Sequence, residues 1–174
     1  MAESTLPAQP GAPVTRALPA FESKIVAPGE LAGRLVDVAR PLVFTNGCFD
    51  IVHRGHVTLL AQARVLGAAL LVAVNSDASV KRLGKGDDRP VNCLLDRLAV
   101  IAALESVTLV TWFEDTPLQR ILECRPEVLV KGGDWPVEKI VGNREVSAGG
   151  GRVVSLPFIH QTSTTALLEK IRRL

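Results

Sequence analysis

"PLVFTNGCFDIVHRGHVTLLAQARVLGAALLVAVNSD" (residues 41–77) reads as strand, loop, helix and strand. Residues 41–46 form a short apolar segment containing β-branched residues, and 68–77 form an unbroken apolar run that ends in polar residues. That second pattern is the mark of a central parallel strand with both faces covered. Between them, 53–67 has helical spacing and a stop at Gly67. The alternation extends outward in both directions. A helical pattern occupies 28–40, a charged loop with glycines 78–92, and a helix 93–106 with Asn92 as its N-cap. A strand follows at 107–113, then a helix at 116–125 opened by Thr-Pro, then strand and turn at 126–135. Residues 151–158 give the last strand and 163–174 the last helix. Strands alternating with helices specify an α/β fold, a parallel sheet with helices on both faces.

Composition narrows the function classes. The 174 residues fit one domain, expected over 23–174 after a flexible Pro- and Ala-rich tail at 1–22. An apolar share of 47% is that of a globular core. A net charge of +2, 4% aromatic residues and the lack of a basic stripe argue against a nucleic-acid partner, so anion binding must be local. No stretch has the length of a membrane span, and the first twenty residues lack the order of a signal peptide. Cys48, Cys93 and Cys124 are odd in number without metal-ligand spacing, which reads as packing thiols in a reducing cytoplasm.

In open parallel sheets, ligands bind beyond the carboxyl ends of the strands. Here those ends carry the unusual chemistry. The first runs into Asn46, Gly47, Cys48, Phe49, Asp50 and an H-R-G-H turn; the second closes on Asn75, Ser76 and Asp77. The fourth ends in Lys131, Gly132, Gly133, Asp134 and Trp135, and the fifth leads to "QTSTT" (161–165) at a helix start. His53 and His56 are three apart, so on a first helical turn both rings point to one side, and Gly55 between them leaves room for a ligand. The amides and dipole of that turn favour an anion. Ser163, Thr164 and Thr165 offer similar donors at a second helix start, with simple N-capping as the alternative. Lys81, Arg82, Lys85, Arg89 and Arg97 add positive charge, although a charged loop is also what solvent alone requires. These are parts for holding a polyphosphate, and neither G-x-x-x-x-G-K-[ST] nor G-x-G-x-x-G is present. Trp135 either stacks on a ligand or closes the core, and "VTWFEDTP" (110–117) places Glu114, Asp115 and Thr116 as helix-capping residues.

"NGCFDIVHRGH" (46–56) together with the distal "STT" (163–165) resembles the HxGH-type nucleotidyltransferase superfamily. "VNSDASVKRL", "RPVN", "FEDTP" and "LVKGGDW" make the adenylyltransferase halves of bacterial ADP-heptose synthases the most similar branch, over about residues 24 to 174. The resemblance implies a Rossmann-like five-stranded parallel sheet in the order 3-2-1-4-5. It implies AMP transfer from ATP to a sugar 1-phosphate, D-glycero-β-D-manno-heptose 1-phosphate, with Mg²⁺ accompanying ATP. His53, His56 and Lys85 are then the catalytic residues. Asn46, Gly47, Cys48, Phe49, Asp50, Gly55, Arg97, Lys131, Gly132, Gly133, Asp134, Ser163 and Thr164 would bind nucleotide, with backbone atoms of the glycine turn reading the adenine edge. Asn75, Asp77 and Lys81 would bind the acceptor, and Asp50 would stand nearest the metal. A separate sugar kinase in the same pathway, a homodimer and a cytoplasmic location are further expectations. The rival readings are a CTP-dependent glycerol-3-phosphate cytidylyltransferase and a nucleotide-binding regulator without turnover. Two departures stand out. Phe158 lies near the place where the cytidylyltransferases carry an arginine, and "RLGKGDDRP" (82–90) has one extra residue, which bears on Lys85.

Overall fold

The computed structural model describes residues 18–174 apart from 85, 87, 134 and 161. The expectations for Lys85 and Asp134, and for most of the 1–22 tail, therefore lie outside the described residues. Five strands, β1 (Leu42–Gly47), β2 (Ala69–Asn75), β3 (Leu109–Phe113), β4 (Val128–Gly132) and β5 (Arg152–Leu156), form one sheet in the order β3-β2-β1-β4-β5. All neighbours are parallel, as the sequence alternation requires. Among the described residues seven α-helices accompany them: α1 (Leu31–Leu35), α2 (Arg54–Arg64), α3 (Asp77–Arg82), α4 (Leu94–Ala102), α5 (Leu118–Cys124), α6 (Asn143–Ala148) and α7 (Thr164–Arg172).

Side chains alternate across the sheet and make two cores. Leu42, Phe44, Leu71, Ala73 and Leu129 pack with Leu31 and Leu35 of α1, Ile121 and Cys124 of α5 and Val146 of α6. Val43, Leu70, Val72, Val74 and Val130 pack with Leu60 and Ala63 of α2 and Leu98, Ile101 and Ala102 of α4. Every residue of β2 is buried, which is why its sequence shows no polar alternation. Burying each such large side chain contributes about 1.5–3 kcal/mol, so neither sheet face can be left to solvent. The chain departs from β1 toward β2 on one side and reaches β4 on the other. The crevice this reversal opens at the carboxyl edge is where the site lies.

Three local differences from the sequence expectation have physical causes. The segment expected as loop from 78 begins as helix α3, because the Ser76 hydroxyl caps it by accepting from Ser79 N at 3.1 Å and Val80 is buried. Cys93, not Asn92, occupies the N-cap of α4, because the Asn92 amide donates instead to the Asp50 carbonyl at 2.6 Å. Helix α6 lies where the sequence pattern specifies no element; it follows Gly142, whose φ of 89° gives the chain a left-handed entry. At the start of the described chain, Ala20–Lys24 forms a 3-10 turn whose Phe21 packs on the second core. The 22/23 boundary falls inside this turn.

Gly67 ends α2 against the start of β1. A Cβ there would stand 2.4 Å from the Pro41 carbonyl oxygen and 2.7 Å from Val43 Cγ2. Gly67→Ala is expected to destabilise the fold by about 1–3 kcal/mol through overpacking, measured as a lowered urea midpoint with an unchanged slope.

Candidate active site

The loop between β1 and α2 is built around Phe49, whose backbone is left-handed at φ 47°. A side chain bearing Cβ avoids that region at a cost of about 1–3 kcal/mol. Here the turn brings the Phe49 ring back beneath Gly47, where a Cβ would lie only 3.0 Å from Cε2. The same ring meets His56 edge-on, with centroids 5.2 Å apart and planes at 64°. His53 sits at the N-cap of α2 in extended backbone, and its ring stacks on His56 at 3.8 Å and 22°. The i, i+3 spacing thus does put both imidazoles on one side of the turn. Each buries Nδ1 without a hydrogen-bond partner.

Burial lowers the pKa of both rings. For His56 the value falls to about 4, first from burial and then from the proximity of His53, with the Ile51 backbone working the opposite way. Near neutral pH the pair is uncharged, and both Nδ1 atoms are enclosed within the turn. The space beside Gly55 is bordered by the protein's own chain: a Cβ there would meet the His53 ring at 3.1 Å and the His160 carbonyl oxygen at 3.4 Å. Gly55 therefore admits the segment before α7 rather than leaving an open approach.

Two buried arginines fix this loop. Asp50 Oδ1 accepts from the backbone N–H groups of Val91 and Asn92 at 2.8 and 2.9 Å, and Oδ2 accepts from Arg89 Nε. The Asp50 side chain is fully enclosed. Both oxygens of this carboxylate are thus engaged by the chain's own donors, at the residue the resemblance would set nearest the metal. Among the described residues no group of three His, Cys, Asp or Glu is placed to hold a metal ion. Arg97 is likewise spoken for. Its Nε donates to Asn92 O, Nη1 to Cys48 O and Nη2 to Asp77 Oδ1, at 3.0, 2.6 and 2.7 Å. Arg97 thus braces the loop from beneath, and Asp77, whose side chain stays 42% exposed, is its partner.

The third element closes on the same place. Thr164 Oγ1 donates to Ile51 O at 3.4 Å, while the Ser163 hydroxyl caps α7 by accepting from Ala166 N at 3.1 Å. Thr164 is therefore committed to docking α7; Ser163 still has its hydroxyl hydrogen to give. Arg172 of α7 pairs with Asp88 in the loop after α3. The imidazoles, the final helix and the cationic loop are tied together by direct contacts.

At this carboxyl edge lies a hollow of about 650 Å³. The strand ends contribute Asn46, Gly47, Cys48, Phe49, Asn75, Lys131 and Gly132, and α2 contributes His56. Asn75 is held in place, donating to Ser79 Oγ at 2.9 Å and accepting from Cys48 Sγ at 3.7 Å. Lys131 Nζ donates to Asn46 O at 3.4 Å. Gly133 lies buried behind the wall, Lys81 stands exposed on α3, and neither lines the hollow. Sequence reasoning missed Leu83, Phe113, Lys139 and Val141 as wall residues, and it gave Asp115 and Thr116 only a capping role. The end of β3 signalled the last two; nothing in the sequence marked Lys139. Trp135 is half-exposed and faces the hollow, so it does not close the core.

A Rossmann-like parallel sheet with an H-x-G-H turn at its carboxyl edge, opening on a hollow with lysines in its wall, defines a nucleotidyltransferase. The sequence profile of the cytidylyltransferase-like family matches residues 44–170, and the chain belongs to that family. It is 57% identical over 159 residues to the D-beta-D-heptose 1-phosphate adenylyltransferase of Bordetella bronchiseptica, covering 88% of this chain and 96% of that protein. It is 56% identical over 133 residues to the bifunctional protein HldE of Hahella chejuensis, of whose length it spans only 28%. Among solved structures, the lipopolysaccharide core biosynthesis protein of Thermoplasma volcanium superposes with a TM-score of 0.56 at 25% identity, over 70% of this chain and 98% of that one.

Two measurements test the site's construction. Folded His56 takes up its proton near pH 4, against the ordinary 6.5. Between those values the unfolded chain binds more protons, so stability is expected to fall as pH drops through that window. The difference in melting temperature between wild type and His56→Asn, followed from pH 7 to 4, isolates this slope. Asp50→Ala strands Arg89 in the interior and is expected to cost about 3–5 kcal/mol in chemical denaturation.

Proposed function

We propose that this protein transfers AMP from ATP to a sugar 1-phosphate, D-glycero-β-D-manno-heptose 1-phosphate, giving ADP-heptose and pyrophosphate. The observation that carries the reading is the stacked His53–His56 pair at the start of α2, with His56 in the wall of a hollow on which the ends of β1, β2, β3 and β4 converge. The high identity to a protein named for that activity supports the choice of substrates.

An oxygen of the sugar phosphate attacks the α-phosphorus of ATP, the bond to the bridging oxygen breaks, and pyrophosphate leaves from the opposite side. Both reactants are anions, so the protein's work is to position them and stabilise charge rather than to form a covalent intermediate. The unpaired amides of the first turn of α2 and its dipole offer a seat for phosphate. Neutral imidazoles donate hydrogen bonds there, and the approach of phosphate raises their pKa toward the charged form. Lys131, from the wall, supplies positive charge around the leaving group, and Lys85, with Lys81 on α3, would steady the phosphates. Ser163 donates its remaining hydroxyl hydrogen to a terminal phosphate. Since Asp50 is sealed by its own partners and no group of three His, Cys, Asp or Glu among the described residues is placed to hold a metal, the Mg²⁺ is that of the Mg·ATP substrate. The reaction draws on cytoplasmic ATP, its sugar 1-phosphate is the product of a separate kinase, and its ADP-heptose feeds lipopolysaccharide core or surface glycan synthesis.

Pyrophosphate release is the test, with ATP or CTP against a panel of heptose 1-phosphate, hexose 1-phosphates and glycerol 3-phosphate. Release is expected with ATP and heptose 1-phosphate. A preference for CTP with glycerol 3-phosphate would move the protein to the cytidylyltransferase reading, and binding without release under every pair would make it a regulator. His56→Ala is expected to lower turnover at least about a hundredfold while circular dichroism stays that of the folded chain.

A further inference from the structure

Gly133 has no hydrogen-bonding capacity left with which to read a base. Its N–H donates to Leu156 O at 2.8 Å, and its carbonyl accepts from Trp135 N at 3.0 Å and from Ser155 Oγ at 2.5 Å. One donor and two lone pairs are all that a peptide unit owns. The strand end offers aromatic surface instead. Phe158 Cε1 lies 3.0 Å from where a Cβ on Gly132 would stand, and Cε2 lies 3.3 Å from the same point on Gly133. Trp135 approaches Gly133 equally closely, with Nε1 at 3.2 Å and Cδ1 at 3.3 Å. The two glycines thus let two rings descend onto one stretch of backbone. Both rings line the hollow and remain open, Trp135 at 51% and Phe158 at 50% exposure. Among the described residues the ring contacts are those of His56 with Phe49 and with His53, so the faces of Trp135 and Phe158 are not spent on other rings. Val141 extends the same apolar rim.

We infer that Phe158 and Trp135 form an aromatic slot over the Gly132–Gly133 turn that selects the nucleobase by stacking area, purine over pyrimidine, and not by hydrogen bonds to the Gly133 backbone. The inference rests on the nucleotidyltransferase reading and names a determinant within it. Every base has a π-face, and a fused bicycle covers more of two flanking rings than a single ring does. Phosphate binding at the first turn of α2 is a different kind of interaction, made by amides and imidazoles rather than by rings stacked on a base. Base and phosphate contributions should therefore divide cleanly.

Calorimetric titration of the full chain with ATP, CTP and inorganic tripolyphosphate tests this. Wild type is expected to bind ATP more tightly than CTP. Phe158→Leu should weaken ATP about tenfold, shrink the ATP-to-CTP ratio and leave tripolyphosphate within about twofold, while Phe158→Trp keeps ATP binding. Trp135→Leu is the second variant and should give the same division. ATP affinity unchanged in both leucine variants overturns the slot while leaving the transferase reading intact. Tripolyphosphate affinity falling in step with ATP also overturns it, because the residues would then act on the fold. A wild-type chain that binds neither nucleotide nor tripolyphosphate overturns the slot together with the reading beneath it.

Discussion

The enclosed ion pair between Asp50 and Arg89 is the constraint on which the carboxyl edge depends. Taking both charges out of water costs several kcal/mol, which is recovered only when the geometry is good and the remaining lone pairs are used. Here they are used, since the two carboxylate oxygens accept from Arg89 and from the N–H groups of Val91 and Asn92. Such a pair contributes little net stability compared with an apolar replacement, but it admits one arrangement of the chain. The arrangement it selects places the loop after α3 directly against the loop that carries the imidazoles. Arg97 repeats the device a few residues on, joining Cys48, Asn92 and Asp77.

The histidine pair gains its character from this rigidity. Burial disfavours the charged imidazole, and the nearness of the two rings adds repulsion, so the site holds them neutral. Loop and helix contacts leave their Nδ1 atoms unpaired, a condition tolerated because Phe49, Gly55 and the segment before α7 fix the rings from below and beside. The binding energy of an anion is then not consumed in ordering side chains. Preorganisation of this kind is what a reaction between two anions asks of a protein that forms no covalent intermediate.

Much of the architecture was legible in the sequence because its signals were local. The continuous apolar run of β2, Gly67 after α2 and the Thr-Pro before α5 each report their own surroundings, and polar residues at successive strand ends marked the reactive edge. What escaped was whatever depends on partners remote in the chain. Asp50, Asp77 and Arg97 look like ligand-binding groups because nothing in a sequence shows that their charges are already matched to one another and to Arg89. Thr164 was legible as a donor but not as one committed to Ile51 O. Helix α3 was hidden by its charges, its serine cap being the only hint. Phe158 was visible only as an unexpected residue, and its contact with two glycines far earlier in the chain gives it meaning.

The left-handed turn at Phe49 sets limits on improving this protein. Glycine is the residue its backbone would accept most easily, and relaxing that turn would be an obvious route to a more robust fold. Yet glycine would delete the ring that borders His56 and fills the floor under Gly47. Thermal hardening and imidazole alignment thus compete for a single position, and a thermostable variant of this enzyme has to find its gain elsewhere, in the helices that cover the sheet.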